Sequence, residues 1–89
     1  MLKKKITVKN KLGLHARAAV KFVNLANRFR SSVKIEKDGA EIDGKSILGI
    51  LTLAAVQGSQ ITLKVAGNDE GKAFKALVTL ITNKFQEKE

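Results

Sequence analysis

Apolar and polar residues alternate at the start of the chain: Leu2, Ile6 and Val8 fall on one side, Lys3, Lys5 and Thr7 on the other. A period of two is that of a strand with one buried face. Asn10 to Gly13 is turn chemistry. From Ala16 the period lengthens. Ala19, Phe22, Val23 and Ala26 follow helical spacing, widened by Ala18, Leu25 and Phe29, and Lys21, Asn24 and Arg28 form the opposite polar stripe. This predicts an amphipathic helix of about three turns. Val33 and Ile35 then alternate with Lys34 and Glu36, and Ala40 and Ile42 with Glu41 and Asp43. Asp38-Gly39 between them is a hairpin signal, so these two strands are expected to pair antiparallel.

Gly44-Lys45-Ser46 opens a second helix with Ser46 as N-cap. Ile47 to Ala55 is apolar almost all round, with Ile50, Leu53 and Ala54 on one side and Ile47, Leu48, Leu51 and Ala55 on another. A short helix on a thin domain can hardly bury both sides, so one apolar face is expected at the surface, as a docking patch. The other reading of Ile47, Leu48 and Leu51 is that they are core. Ile61, Leu63 and Val65 alternate with Thr62 and Lys64 as a fourth strand. Gly67-Asn68-Asp69 starts a last helix with acid in its first turn, whose stripe is Ala73, Phe74, Leu77, Val78, Ile81 and Phe85.

The order β-α-β-β-α-β-α, with one apolar face per strand, predicts an α+β open-faced sandwich. Three helices cover one face of a four-stranded antiparallel sheet, and the other face is open to solvent. At 89 residues the chain is expected to be one domain, residues 1–89, without room for a large enclosed cofactor cavity.

Composition narrows the chemistry. There is no cysteine, which removes disulfides, thiolate zinc sites and cysteine nucleophiles together. No signal-peptide core and no apolar run near 18 residues appears, so a soluble cytoplasmic protein without membrane insertion is expected. Lys and Arg number 17 against 8 Asp and Glu, which favours anionic partners without choosing among nucleic acid, acidic protein and phosphate.

The only histidine, His15, lies in Gly13-Leu14-His15-Ala16-Arg17, where a glycine-containing loop becomes a helix. One His excludes multi-His metal sites, and no serine or cysteine signature supports hydrolysis. A helix N-terminus presents unpaired N–H groups and a partial positive charge, a ready anion site. Arg17 adds a fork of donors suited to phosphate oxygens. A nucleophilic imidazole, the Ala16 and Arg17 N–H groups and a guanidinium are what a phosphohistidine needs. The plainer reading of His15 is a polar loop residue or helix cap.

The stretch Leu12-Gly13-Leu14-His15-Ala16-Arg17-Ala18-Ala19 is similar to the G-L-H-A-R-P-A motif of HPr, the histidine-containing phosphocarrier family of the bacterial sugar phosphotransferase system. Gly44-Lys45-Ser46-Ile47-Leu48-Gly49 resembles that family's second signature, and Gln57-Gly58 before the fourth strand also fits. The resemblance covers nearly the whole chain. It implies His15 as the phosphorylated residue, on Nδ1, with Arg17 steadying the phosphoryl group. It implies Enzyme I as donor, sugar-specific Enzyme II proteins as acceptors, and no cofactor or metal. In this role the protein is a reactant for other enzymes rather than an enzyme. Ile47, Leu48 and Leu51, with Lys21 and Arg28, are the residues assigned to partner binding.

Two departures stand out. Ala18 replaces the usual Pro, restoring an N–H in the first helical turn. The chain is also more basic than the family leads one to expect, which leaves a nitrogen-branch or regulatory paralogue open. In one branch the serine at the place of Ser46 is phosphorylated by a dedicated kinase, and a phosphatase would reverse it; a plain N-cap explains Ser46 equally well. A competing class is a basic RNA-binding module, because the element order and the Lys-rich open sheet are similar to the RNA-recognition fold. That fold stacks bases on sheet aromatics, whereas the sequence places every Phe on a helix, so base readout is not expected.

Overall fold

The computed structural model describes residues 1–87. Its elements are β1 (Leu2–Thr7), α1 (Ala16–Ala26), β2 (Ser32–Lys37), β3 (Ala40–Asp43), α2 (Ile47–Thr52), β4 (Gln60–Ala66) and α3 (Glu70–Thr82). The four strands form one antiparallel sheet in the order β1-β4-β2-β3. The three helices lie on one face of it, as the alternation required. Ile6, Val33, Ile35, Ile61, Leu63 and Val65 point from the sheet into a core shared with Ala19, Phe22 and Val23 of α1, Ile50 of α2, and Ala73, Leu77 and Ile81 of α3.

The β2–β3 hairpin turns through Asp38 and Gly39, both at positive φ (52° and 86°), the geometry of a two-residue type I′ loop. β3 is one of the two edge strands, and the helical layer barely reaches it: Ala40, expected inward, is exposed, and Ile42 is half-buried. On the open face Lys64 lies opposite Lys3 on one side and Lys34 on the other. Its ammonium reaches instead to Glu36 (2.9 Å) and Glu41 (2.8 Å), which face each other across β2 and β3. Hydrogen bonds to Glu41 and Glu36 push the Lys64 pKa up to about 12, and the same contact lowers that of Glu36.

The helices depart from the expected wheel at their ends. α2 stops at Thr52, so the positions beyond it no longer follow the helical period. Ala54, at φ 51°, turns outward and Ala55 inward, the reverse of the sides expected for them. Asp69 precedes α3, but its carboxylate makes no bond to that helix; it accepts from the backbone N–H of Arg30 (2.9 Å) and of Ser31 (3.0 Å) and from the Ser31 hydroxyl.

Phe85 is fully buried as expected, but it is not on α3. It lies in a single short turn, Lys84–Gln86, in which Lys84, Phe85 and Gln86 all have positive φ (57°, 55° and 64°). The left-handed region costs a non-glycine residue about 1–2 kcal/mol. Burial of the Phe85 ring, worth about 1.5–3 kcal/mol, offsets part of that cost summed over the three residues.

Candidate functional site

The loop from Lys9 to Leu14 delivers His15 to the start of α1. The Gly13 N–H donates to the Asn10 carbonyl (3.1 Å), closing a tight turn, and the Leu14 N–H donates to the Ala55 carbonyl (2.8 Å). Gly13 has φ +67°, and a Cβ there would come within 2.3 Å of the Ala55 oxygen. No other residue type therefore fits without shifting the Ala55–Val56 backbone that supports the loop.

His15 is the N-cap of α1, with extended backbone (φ −80°, ψ 177°), and its side chain makes no capping bond. Its carbonyl accepts from Ala19 N–H (2.9 Å), so the amides of Ala16, Arg17 and Ala18 are the first-turn donors left without an intrahelical partner. Ala16 and Arg17 are exposed, whereas the Ala18 side chain is buried. Among the described residues no hydrogen bond or ion pair holds the Arg17 guanidinium, which is free to reach a ligand at the helix terminus.

The far side of the ring is occupied. His15 Nε2 lies 2.5 Å from Glu87 Oε2, while Glu87 Oε1 accepts from Asn10 Nδ2 (2.9 Å). The second hydrogen of that amide goes to the Gly13 carbonyl (2.6 Å). Asn10 is fully buried, and facing two acceptors fixes its amide orientation, with Oδ1 left unpartnered among the described residues. The Glu87 side chain is only 7% exposed against 24% for His15. Burial raises the Glu87 pKa, but hydrogen bonds from Asn10 and His15 and the charge of Lys21 outweigh it and hold the carboxyl below the ordinary glutamate value. An ionised carboxylate only accepts, so the ring nitrogen that faces it carries a proton. In the neutral ring the lone pair is then on Nδ1.

The remaining sequence candidates spread outward from this point. Lys21 is half-buried, and its ammonium donates to the Phe85 carbonyl (2.8 Å), so that charge is engaged within the chain. Arg28 is exposed just past α1, about 20 Å along the axis from His15 at 1.5 Å per residue. It shares a shallow groove with Lys21, Asn24, Leu25, Leu80 and Gln86. Ser46 caps α2, its hydroxyl accepting from the Gly49 N–H (3.0 Å). Lys45 points away from that cap and donates to the Phe29 carbonyl (2.8 Å).

α2 packs against α1 and places apolar side chains at the surface. Leu48 is 76% exposed, Ile47 is exposed, and Leu51 is half-buried against the core. Besides Met1 at the chain start, three exposed apolar residues were not singled out from the sequence: Leu12 and Val56, in the two loops that meet at Gly13, and Val20 on α1. Val20 carried a readable signal, a β-branched apolar residue beside Lys21 and Asn24 on the polar stripe. Asn10 and Glu87 were also not identified.

A family description, "PTS HPr component phosphorylation site", matches residues 2–83. The chain belongs to the HPr family. It is 49% identical over 89 residues to the phosphocarrier protein HPr of Cupriavidus necator, covering the whole of both chains. Identity is 51% over 81 residues to the HPr-like protein Crh of Halalkalibacterium halodurans, covering 91% of this chain and 96% of that one. A crystal structure of HPr from Thermoanaerobacter tengcongensis superposes with a TM-score of 0.96 at 46% identity, covering all of both chains. HPr is a phosphocarrier rather than a catalytic enzyme, and its open-faced sandwich is the fold found here. Among the described residues no helix is long and apolar enough to cross a membrane, and no group of three His, Asp or Glu could hold a metal ion.

Proposed function

We propose that this HPr-family chain accepts a phosphoryl group on Nδ1 of His15 and passes it to a second protein. The observation that carries this reading is the His15 ring at the N-terminus of α1, with Nε2 held by a carboxylate and Nδ1 left as nucleophile. The Nδ1 lone pair attacks phosphorus as the bond to the donor breaks, and the donor leaves with that electron pair. The Ala16 and Arg17 amides and the Arg17 guanidinium take the phosphoryl oxygens, and the helix dipole adds to their field. The family supplies the expected donor, Enzyme I charged from phosphoenolpyruvate, and acceptors of the Enzyme II type, acting in the cytoplasm.

The test is intact-mass measurement after incubation with Enzyme I and phosphoenolpyruvate. One phosphoryl group, labile in acid and stable in base, is expected on wild type and absent from His15→Ala. Undiminished labelling of His15→Ala would overturn the reading. Arg17→Ala is expected to fold normally and to accept the group more slowly.

Leu48, Ile47 and Leu51, with Leu12, Val20 and Val56, form the apolar surface we assign to partner docking. Ser46, at the edge of that surface, is the candidate regulatory position. A nucleic-acid role has less to support it: Phe22, Phe29, Phe74 and Phe85 all lie off the strands, and Lys64 at the centre of the open sheet is ion-paired.

A further inference from the structure

The segment after α3 is held in place by contacts that converge on the His15 ring. The turn Lys84–Gln86 stays left-handed through three successive non-glycine residues. Such a run persists only where its surroundings fix it. Here the Phe85 ring is buried, the Phe85 carbonyl is bonded to Lys21, and the Glu87 carboxylate is bonded at both oxygens, to Asn10 and to His15. Asn10 is itself bonded to Gly13, in the turn that sets His15. The carboxylate is therefore fixed from the same loop that fixes the ring.

We propose that Glu87 is a positioning residue for phosphoryl transfer: it keeps the imidazole proton on Nε2, so that Nδ1 presents its lone pair, and it balances the positive charge the ring acquires when the N–P bond forms. The proposal rests on the reading of His15 as the acceptor. During the step the Nδ1–P bond forms and the donor–P bond breaks. The Nε2 proton stays on the ring, hydrogen-bonded to Glu87, and no further proton or electron moves. A buried carboxylate bonded to the nitrogen opposite the reacting one performs the same two tasks, tautomer and charge, in hydrolytic triads.

Two readouts separate this role from a purely mechanical one. The first needs no donor protein: long-range proton–nitrogen NMR of the unphosphorylated protein reports which ring nitrogen bears hydrogen. Wild type is expected to show a protonated Nε2 and an unprotonated Nδ1, and Glu87→Ala a mixture, with the two nitrogen shifts drawn together. Glu87→Gln keeps one carbonyl acceptor for the two donors Asn10 Nδ2 and His15 Nε2, so it is expected to hold the wild-type tautomer only in part, between wild type and Glu87→Ala. The second readout is the rate of phosphorylation by Enzyme I. For Glu87→Gln kcat is expected to fall about tenfold with KM unchanged, the size expected for one charge-assisted hydrogen bond, and Glu87→Ala further. An unchanged tautomer in Glu87→Ala, or wild-type kcat in both variants, would reduce the contact to a latch for the tail. A faster Glu87→Ala would make the carboxylate a brake and overturn the proposal equally. If wild type itself takes no phosphoryl group, the acceptor reading of His15 fails, and the NMR result still decides whether Glu87 sets the tautomer.

Discussion

Asp69 faces Ser31 across the two loops at one end of the sheet, accepting from both its N–H (3.0 Å) and its hydroxyl. With the Arg30 N–H added, these donors hold the Asp69 pKa down to about 2, the Ser31 hydroxyl being the largest cause. A carboxyl with a depressed pKa in the folded state stabilises the fold above its unfolded pKa, and that contribution disappears as pH falls through the folded value. Thermal unfolding of wild type is therefore expected to lose stability between about pH 4 and pH 2, and Asp69→Asn to show a flatter profile over the same window. Parallel profiles for the two proteins would show that other groups govern acid unfolding.

Ser46 admits a prediction that separates its two readings. Ser46→Ala removes the cap on the Gly49 N–H and is expected to cost about 1 kcal/mol in denaturant unfolding, whereas Ser46→Asp keeps an acceptor and is expected to unfold like wild type. If Ser46 also governs docking, Ser46→Asp slows phosphorylation of His15 by Enzyme I. The loss is expected to shrink at 1 M salt, where the screening length is about 3 Å. Equal rates for wild type and both variants would leave Ser46 as a cap alone. Because Lys45 is bonded to Phe29, the charge that accommodates an anion at this position is that of the helix terminus rather than of Lys45.

The two sides of α2 are expected to respond oppositely to substitution. Leu48 is exposed, so Leu48→Glu should alter stability by no more than about 0.5 kcal/mol while raising KM toward Enzyme I. Ile50 is fully buried, and Ile50→Ala should cost about 2–5 kcal/mol through the cavity it leaves. Denaturant midpoints measure both; a large loss for Leu48→Glu would place that side chain in the core.

Ala18 lies in the first turn of α1, and among the described residues its N–H has no partner. Ala18→Pro therefore loses no bond within the helix and restricts the unfolded chain. A gain of about 0.4–1 kcal/mol is expected, visible as a rise in Tm of roughly 2–8 °C. A fall in Tm would mean that the N–H is used. If stability rises while phosphorylation slows, that N–H contributes to holding the phosphoryl group.

Much of this arrangement was legible because its signals are local. The strands alternate with period two and are separated by turn residues, and the loop-to-helix change at Gly13–Arg17 sets His15 and Arg17 at the helix start. The end of α2 was not legible, because Ile47 to Ala55 is apolar on every side and carries no period to mark where the helix stops. Lys21 was read as a free surface charge, since nothing near it announces a carbonyl 64 positions away. Glu87 and His15 are 72 positions apart, and no spacing rule spans that distance. Asn10 was legible as a turn former but not as a buried donor, because both roles favour the same residue type.

The sheet order carries a consequence for how the chain is made. β4, the last strand synthesised, lies between β1 and β2, so Leu2 meets Val65 and Val33 meets the same residue from the other side. Until β4 has left the ribosome, the only sheet the nascent chain can form is the β2–β3 hairpin, and β1 has no neighbour at all. Its assembly waits for contacts of long sequence separation, which form slowly because a long loop must close before they contribute. A chain interrupted before Gln60 thus has only the β2–β3 hairpin of this sheet to settle into. The loop after β1 that carries His15 acquires its support at Ala55 and Val56 only when the same closing event has taken place.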